Sequence, residues 1–412
     1  MISNAPLLKP RNILIAALIG GLAIASALLL TKNVDFVVYW RGVGEFLSGR
    51  RPLYGWLSGN GHPQEFRYPP LTVPFFLLLT RLPLRVAGVL WVLLAWLACA
   101  SASALAIRRW NLKYRATGVA LGCLLVAQFV VLFVKFGNVQ PHLIALILLA
   151  LLWAEERPFW SGLALAVATC FKLWPVFFIP WFLIRGRRRS LAWAAAASVV
   201  FWAAPVLFFG WSRYAFLLGD FFHHVVALAS DPESVWYSSQ SLRGVFLRLL
   251  THAVTPRDGY PDASFAGMSP ALVGGLCLAL SAAIYGYAVV ATWKSSRERR
   301  YLWDAAAFAF FSFLQPFAMN SGLISLLPAI LVGAHVYSAP AGEFPRAAKR
   351  AFVVACVLAA LASATFWRPL QRWALMLGVD FWLMLALTAA LVIAASPLRR
   401  RSGHRAEPPT MR

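Results

Sequence analysis

The stretch "LLLTKNVDFVVYWRGVGEFLSGRRPLYG", residues 28–55, leaves a wholly apolar segment and enters a polar, aromatic one. The apolar run behind it, residues 13–30, has about the 17–25 residues that span a hydrocarbon core. Runs of this kind recur along the rest of the chain and leave no room for a separate soluble domain. The 412 residues are 60% hydrophobic and 13% charged, with a mean hydropathy of +0.69. Soluble domains are about one half apolar and one quarter charged. The sequence therefore predicts an all-α integral membrane protein, with residues 1–412 forming one polytopic domain. Lys9 and Arg11 precede the first run as they would in a signal peptide. Its length and the lack of a small-residue cleavage site favour a retained helix.

The net charge of +23 would suggest a nucleic-acid partner in a soluble protein. Here the arginines gather in short loops between apolar runs: "RRWNLKYR" at 108–115, "RGRRRS" at 185–190, "KSSRERR" at 294–300, "PRAAKR" at 345–350 and "RRRSGHR" at 399–405. That is the positive-inside pattern, which predicts cytoplasmic loops, no nucleic-acid partner, both termini in the cytoplasm and a basic cytoplasmic tail at 397–412. The expected location is a bacterial inner (plasma) membrane.

With those loops inside, the runs predict about 12 transmembrane helices. The short, proline-punctuated "YPPLTVPFFLLLTR" at 68–81 reads as an additional re-entrant or short helix. Residues 31–67 and 211–268 then form two extracytoplasmic loops with amphipathic helices. Cys99, Cys123, Cys170, Cys277 and Cys356 fall one per apolar run with no CxxC pair, as small core residues do.

Asp35 follows the last leucine of the first run by five residues. A carboxylate at the hydrocarbon boundary loses hydration, which raises its pKa and makes it a better base. Helical spacing puts Asp35, Tyr39, Gly42 and Phe46 on one face. Asp before an apolar-periodic run is also a common helix N-cap, and the two roles are compatible. In "EFRYPPL", residues 65–71, two prolines present Arg67 and Tyr68 on a rigid segment, either as interfacial anchors or as a phosphate clamp.

Polar residues within apolar runs come next: Asn138, Gln140 and His142 in "FGNVQPHLIAL", Lys172 in "CFKLWPV", and Gln315 and Asn320 in "FLQPFAMNSG". Ionisable groups at membrane depth are expensive and mark sites by default, so Lys172 is the strongest signal, against snorkelling to the interface. In "VWYSSQSLRGVFLRLL", residues 235–250, the spacing of Leu242, Val245, Phe246 and Leu249 describes a surface helix with Gln240 and Arg243 near its start. His142 has no acidic partner at ligand spacing. No metal site or cofactor is expected, with a divalent metal left open.

Taken in order, "VYWRG", "FLSGRRPLYG", "FRYPPL", "FGNVQPHLIALILLALL", "GLALAVATCFKLWPVFFIPWFLIRGRRR" and "SSQSLRGVFLRL" resemble glycosyltransferase family 87. This is a GT-C family that includes polyprenyl-phosphate-mannose-dependent α-mannosyltransferases. The resemblance implies a GT-C type bundle and a hexosyltransferase. Such an enzyme would pass a sugar, mannose or another hexose, from a polyprenyl-phosphate donor to a lipid or glycan acceptor at the extracytoplasmic face of the cell envelope. It implies Asp35 as catalytic base. Arg67, Lys172 and Arg243 match positions facing the donor phosphate, with Tyr39, Tyr68, Asn138, His142, Gln240 and Asn320 as further substrate-binding candidates. Where many members carry histidine, this chain has Asn320 and Ser321. The competing class is a lipid or solute transporter or flippase. Internal repeats and mid-membrane charges would favour it, whereas here the polar residues gather in two loops on one side.

Overall fold

The structure is a computed structural model that describes residues 34–56, 64–226, 235, 237–253, 260–315, 318–362 and 368–396. The first apolar run and the basic tail lie outside the described residues. The described residues form helices and no strand. In chain order these are α1 Val34–Leu47, a 3-10 turn Pro70–Thr72, α2 Val73–Thr80, α3 Leu84–Arg109, α4 Ala116–Phe136, α5 Gln140–Trp153 and α6 Pro158–Phe171. There follow a 3-10 turn Trp174–Phe177, α7 Phe178–Ile184, α8 Arg188–Ala203, α9 Pro205–Phe209, α10 Trp211–Phe221 and a π turn Phe222–Val226. The chain continues with α11 Leu242–Leu250, α12 Pro270–Lys294, α13 Arg300–Leu314, a 3-10 segment Asn320–Leu326, α14 Leu327–Ser338, α15 Arg346–Ala362, α16 Arg368–Met376 and α17 Val379–Ala395.

Proline opens several of these helices, at Pro141, Pro158, Pro270 and Pro328, where its missing N–H costs nothing. Gly137 closes α4 with φ +64 and donates its N–H to Phe133 O at 2.7 Å, a left-handed cap that other residues adopt with strain.

Among the described residues, five helical segments are long and apolar enough to cross a membrane: Leu84–Arg109, Ala116–Phe136, Arg188–Phe209, Pro270–Lys294 and Asn320–Ser338. A sixth is the pair α16–α17, bent by 62°. The expected count of about 12 is thus not reached by length alone. Several expected crossings are shorter, with 14 residues in α5 and α6 and 15 in α13. The physical reason is burial. α5 and α13 bury most of their residues among other helices, so protein rather than lipid meets their ends and the hydrocarbon thickness does not set their length. The run 68–81 folds as a 3-10 turn and an eight-residue helix.

Close packing ties the short helices together. A Cβ on Gly162 would stand 2.5 Å from Ser190 O and 2.6 Å from Ala194 N, so only glycine lets α6 and α8 approach this closely. Arg185, just after α7, pairs with Asp304 of α13 at 3.1 Å, and both side chains are nearly inaccessible. Trp181 Nε1 donates to the same Asp304 oxygen at 2.8 Å. Asp304→Ala would strand a buried guanidinium, and we expect a loss of about 3–5 kcal/mol, measured as a lower thermal midpoint in detergent. Wild-type stability in this variant would show that the ion pair does not hold α7 to α13.

Candidate active site

α1 lays its inward face on an aromatic floor. Phe36 and Tyr39 contact Trp91 of α3 at ring-centroid distances of 5.9 and 6.2 Å, and Tyr39 contacts Phe76 of α2 at 5.1 Å. The Tyr39 and Tyr68 hydroxyls share a 2.7 Å hydrogen bond, and Tyr54 donates to Tyr68 O at 2.7 Å. Burial raises all three phenols well above their ordinary range, so they stay protonated and act as neutral hydrogen-bonding groups. The Pro69–Pro70 pair fixes the chain here, with Tyr68 buried inward and its neighbour Arg67 exposed.

Asp35 sits in the first turn of α1, half-buried. Burial pushes its carboxyl from the ordinary 3.8 up to about 6, while the nearby Lys172 ammonium and a hydrogen bond with Gln64 pull the other way. Lys172 leaves α6 in extended conformation and its Nζ donates to Gln140 Oε1 at 3.4 Å. Gln140 N donates to Asn138 Oδ1 at 3.1 Å, and Asn138 Nδ2 donates to Ser321 O at 2.6 Å. Asn138 therefore holds the start of α5 and joins it to the 3-10 segment after α13. His142 packs at a tilt on Trp91, with centroids 4.0 Å apart and both ring nitrogens buried.

The network continues into the 211–268 loop. Asn320 N donates to Ser238 O at 2.9 Å and Gln240 N to Ala318 O at 2.6 Å, around an antiparallel bridge between Ser239 and Met319. Gln240 Nε2 is used on the carbonyls of Tyr237 and Leu375, at 3.0 Å each.

The site residues expected from the sequence thus fall into two groups. Asp35 lies in electrostatic reach of Lys172, and one line of hydrogen bonds joins Lys172, Gln140, Asn138, the 320–321 backbone and the 238–240 backbone, while Tyr39, Tyr68 and His142 belong to the aromatic floor of α1. Arg67 points outward, and Arg243 lies in electrostatic reach of Cys277 on α12.

Sequence reading passed over Arg248. It is 1% exposed, and its guanidinium donates to Ser239 O, Leu375 O and Met376 O, which clamps α11 to the end of α16. The signal was present. Arg248 follows Val245 by three residues and Gly244 by four, on the buried face of α11. Gly244 and Gly378 permit this closeness: added Cβ atoms would lie 2.5 Å from Ser239 Oγ and 2.6 Å from Val245 Cγ2.

Chemically, the arrangement offers a carboxylate poised to take a proton and a cation beside it that can hold an anion. Among the described residues, no three His, Cys, Asp or Glu side chains converge as metal ligands would.

These features define an integral membrane protein with a partly desolvated carboxylate–lysine site at one end of a helical bundle. The chain belongs to glycosyltransferase family 87, whose model matches residues 66–316, and it is a membrane glycosyltransferase. Asp35 and Tyr39 precede the matched stretch, whereas Asn138, Lys172 and Gln240 fall inside it. The chain is also similar to two crystal structures of ArnT from Cupriavidus metallidurans. The form bound to undecaprenyl phosphate shares 19% identity at a TM-score of 0.45, covering 92% of this chain and 77% of that one. The apo form shares 17% identity at a TM-score of 0.45, covering 93% and 78%. No curated protein matches the chain.

Proposed function

We propose that the protein transfers a hexose, with mannose the first candidate, from a polyprenyl-phosphate donor to a lipid or glycan acceptor at the extracytoplasmic face. The observation that carries this reading is Asp35 in the first turn of α1, over the hydrogen-bonded Tyr39–Tyr68 pair and in electrostatic reach of Lys172, which is itself held by Gln140. Asp35 takes the proton of the acceptor hydroxyl as that oxygen bonds to the sugar's anomeric carbon. The bond from that carbon to the phosphate oxygen breaks in the same displacement and leaves polyprenyl phosphate. The phosphate is already a good leaving group, so the protein's share is one base and enough positive charge to hold the departing anion. Lys172 is assigned that charge, with the exposed Arg67 as a second cation arriving from the rim. Tyr39 and Tyr68, protonated and joined to each other, orient the acceptor side.

The direct test is to incubate the purified protein in lipid with radiolabelled polyprenyl-phosphate sugars and extracted envelope lipids and glycans. Label should pass to an acceptor, and its failure to move from any donor would remove the reading. Orientation has its own check. A cysteine introduced near Gly61 should react with an impermeant thiol reagent in intact cells, and one at Arg188 should not. The reverse labelling would put the site in the cytoplasm.

A further inference from the structure

α5 starts at the Lys172 site with Gln140 and runs away from it to Trp153, so its far end marks the opposite end of the bundle. There Ser190 Oγ of α8 donates to Ala154 O at 3.0 Å, and α13 begins. Three arginines meet at this place: Arg185 after α7, Arg187 at the N-cap of α8, and Arg300 at the first position of α13. Arg187 and Arg300 both act electrostatically on Arg185, and Arg185 Nη2 donates to Arg300 O at 3.2 Å.

Their donors outnumber the available acceptors. Nε and Nη1 of Arg185, Nε and Nη1 of Arg187, and Nε of Arg300 are buried without a hydrogen-bond partner. Among the described residues, Asp304 lies on Arg185 at 3.1 Å and Glu155 also acts electrostatically on Arg185. Glu155 is exposed and turned to Arg297 at 3.7 Å. The three guanidiniums outnumber the two carboxylates that act on them, Asp304 and Glu155, which leaves net positive charge in a place of low dielectric, where like charges repel strongly and unfilled donors are costly. Burying charge this way is tolerated where an anion completes it.

The surroundings say what kind of anion. Guanidinium forks match phosphate oxygens. At the same end of the bundle, near the starts of α6 and α8, Phe159 packs on both Trp160 and Trp193 with centroids 5.1 Å apart, and each of the three is 44–53% exposed. Leu183, two residues before Arg185, is 53% exposed. An apolar, aromatic surface flanking a cationic pocket at a bundle end suits a ligand with a phosphate head and acyl chains. We propose that Arg185, Arg187 and Arg300 bind the phosphate of an anionic phospholipid whose chains lie along the Phe159–Trp160–Trp193 face. The site is separate from the Asp35 centre, and its case is independent of the reaction proposed there.

The test is native mass spectrometry of the full-length protein in detergent, titrated with phosphatidylglycerol or phosphatidylcholine. Wild type should retain phosphatidylglycerol at least about tenfold more tightly than phosphatidylcholine, and Arg187→Gln with Arg300→Gln should abolish the preference. Arg350→Gln, an exposed arginine on α15, should leave it unchanged. Arg187→Lys, which keeps the charge and loses the fork, serves if the double variant does not fold, and should weaken retention severalfold. Competition by inorganic phosphate without loss of the lipid preference supports recognition of the phosphate group within a lipid. Equal retention of the two lipids, displacement by phosphate with no lipid preference, or an equal effect of Arg350→Gln would overturn the proposal.

Discussion

Asp35→Asn is expected to lower turnover by about a hundredfold or more, the usual scale for losing a general base, while the protein folds and takes up donor normally. Asparagine has nearly the same shape and caps a helix about as well as aspartate, so a purely capping role predicts an almost silent substitution. Asp35→Ala would then reveal that role as about 1 kcal/mol of lost stability. A fully active Asp35→Asn enzyme would end the case for Asp35 as the base.

The raised carboxyl adds a pH signature. The base works ionised, so wild-type kcat/KM should fall below about pH 6, roughly tenfold per unit for one proton. Stability runs the opposite way. The native carboxyl at about 6 holds its proton more tightly than the unfolded one at 3.8. The stability it contributes is therefore present below about pH 4 and is lost as pH rises through 6. Thermal midpoints of Asp35→Asn should lack that slope.

Lys172→Gln is expected to reduce kcat by about 10²–10³, the range seen when one group stabilising a developing anion is removed. It should also move a second observable. The Lys172 ammonium pulls the Asp35 carboxyl down against its burial, so without it the acid limb of the rate profile shifts to higher pH. A lysine that merely reaches for the interface would change neither measurement. In the double variant with Asp35→Asn the losses should be less than additive, since both residues serve one displacement. Strict additivity would place them in separate roles.

The class of fold was legible in the sequence because membrane thickness and the lack of water in the bilayer constrain composition and run length directly. Asp35 and Lys172 stood out for the same reason, as ionisable groups beside or within apolar runs. The floor under Asp35 was partly legible, since helical spacing put Tyr39 on its face. The span count was not. Run length cannot separate a helix that meets lipid from one, such as α5 or α13, that meets only protein.

Residues far apart in the chain acquired their partners only on folding. Lys172 comes within electrostatic reach of Asp35 across 137 residues of sequence, Asn138 meets Ser321, and Asp304 meets Arg185. Such pairings depend on how α5, α6 and α13 pack, which local spacing does not encode. Arg248 shows the limit most sharply. Its helix face was readable, but its three carbonyl acceptors come from Ser239, Leu375 and Met376, backbone groups that any residue types could supply. What the sequence by itself determined was the solvent the chain must satisfy and the charges too costly to be idle. Which carboxylate faces which cation was decided by tertiary packing, because ion pairs and orphan donors are settled by distances of a few ångströms that no periodicity specifies.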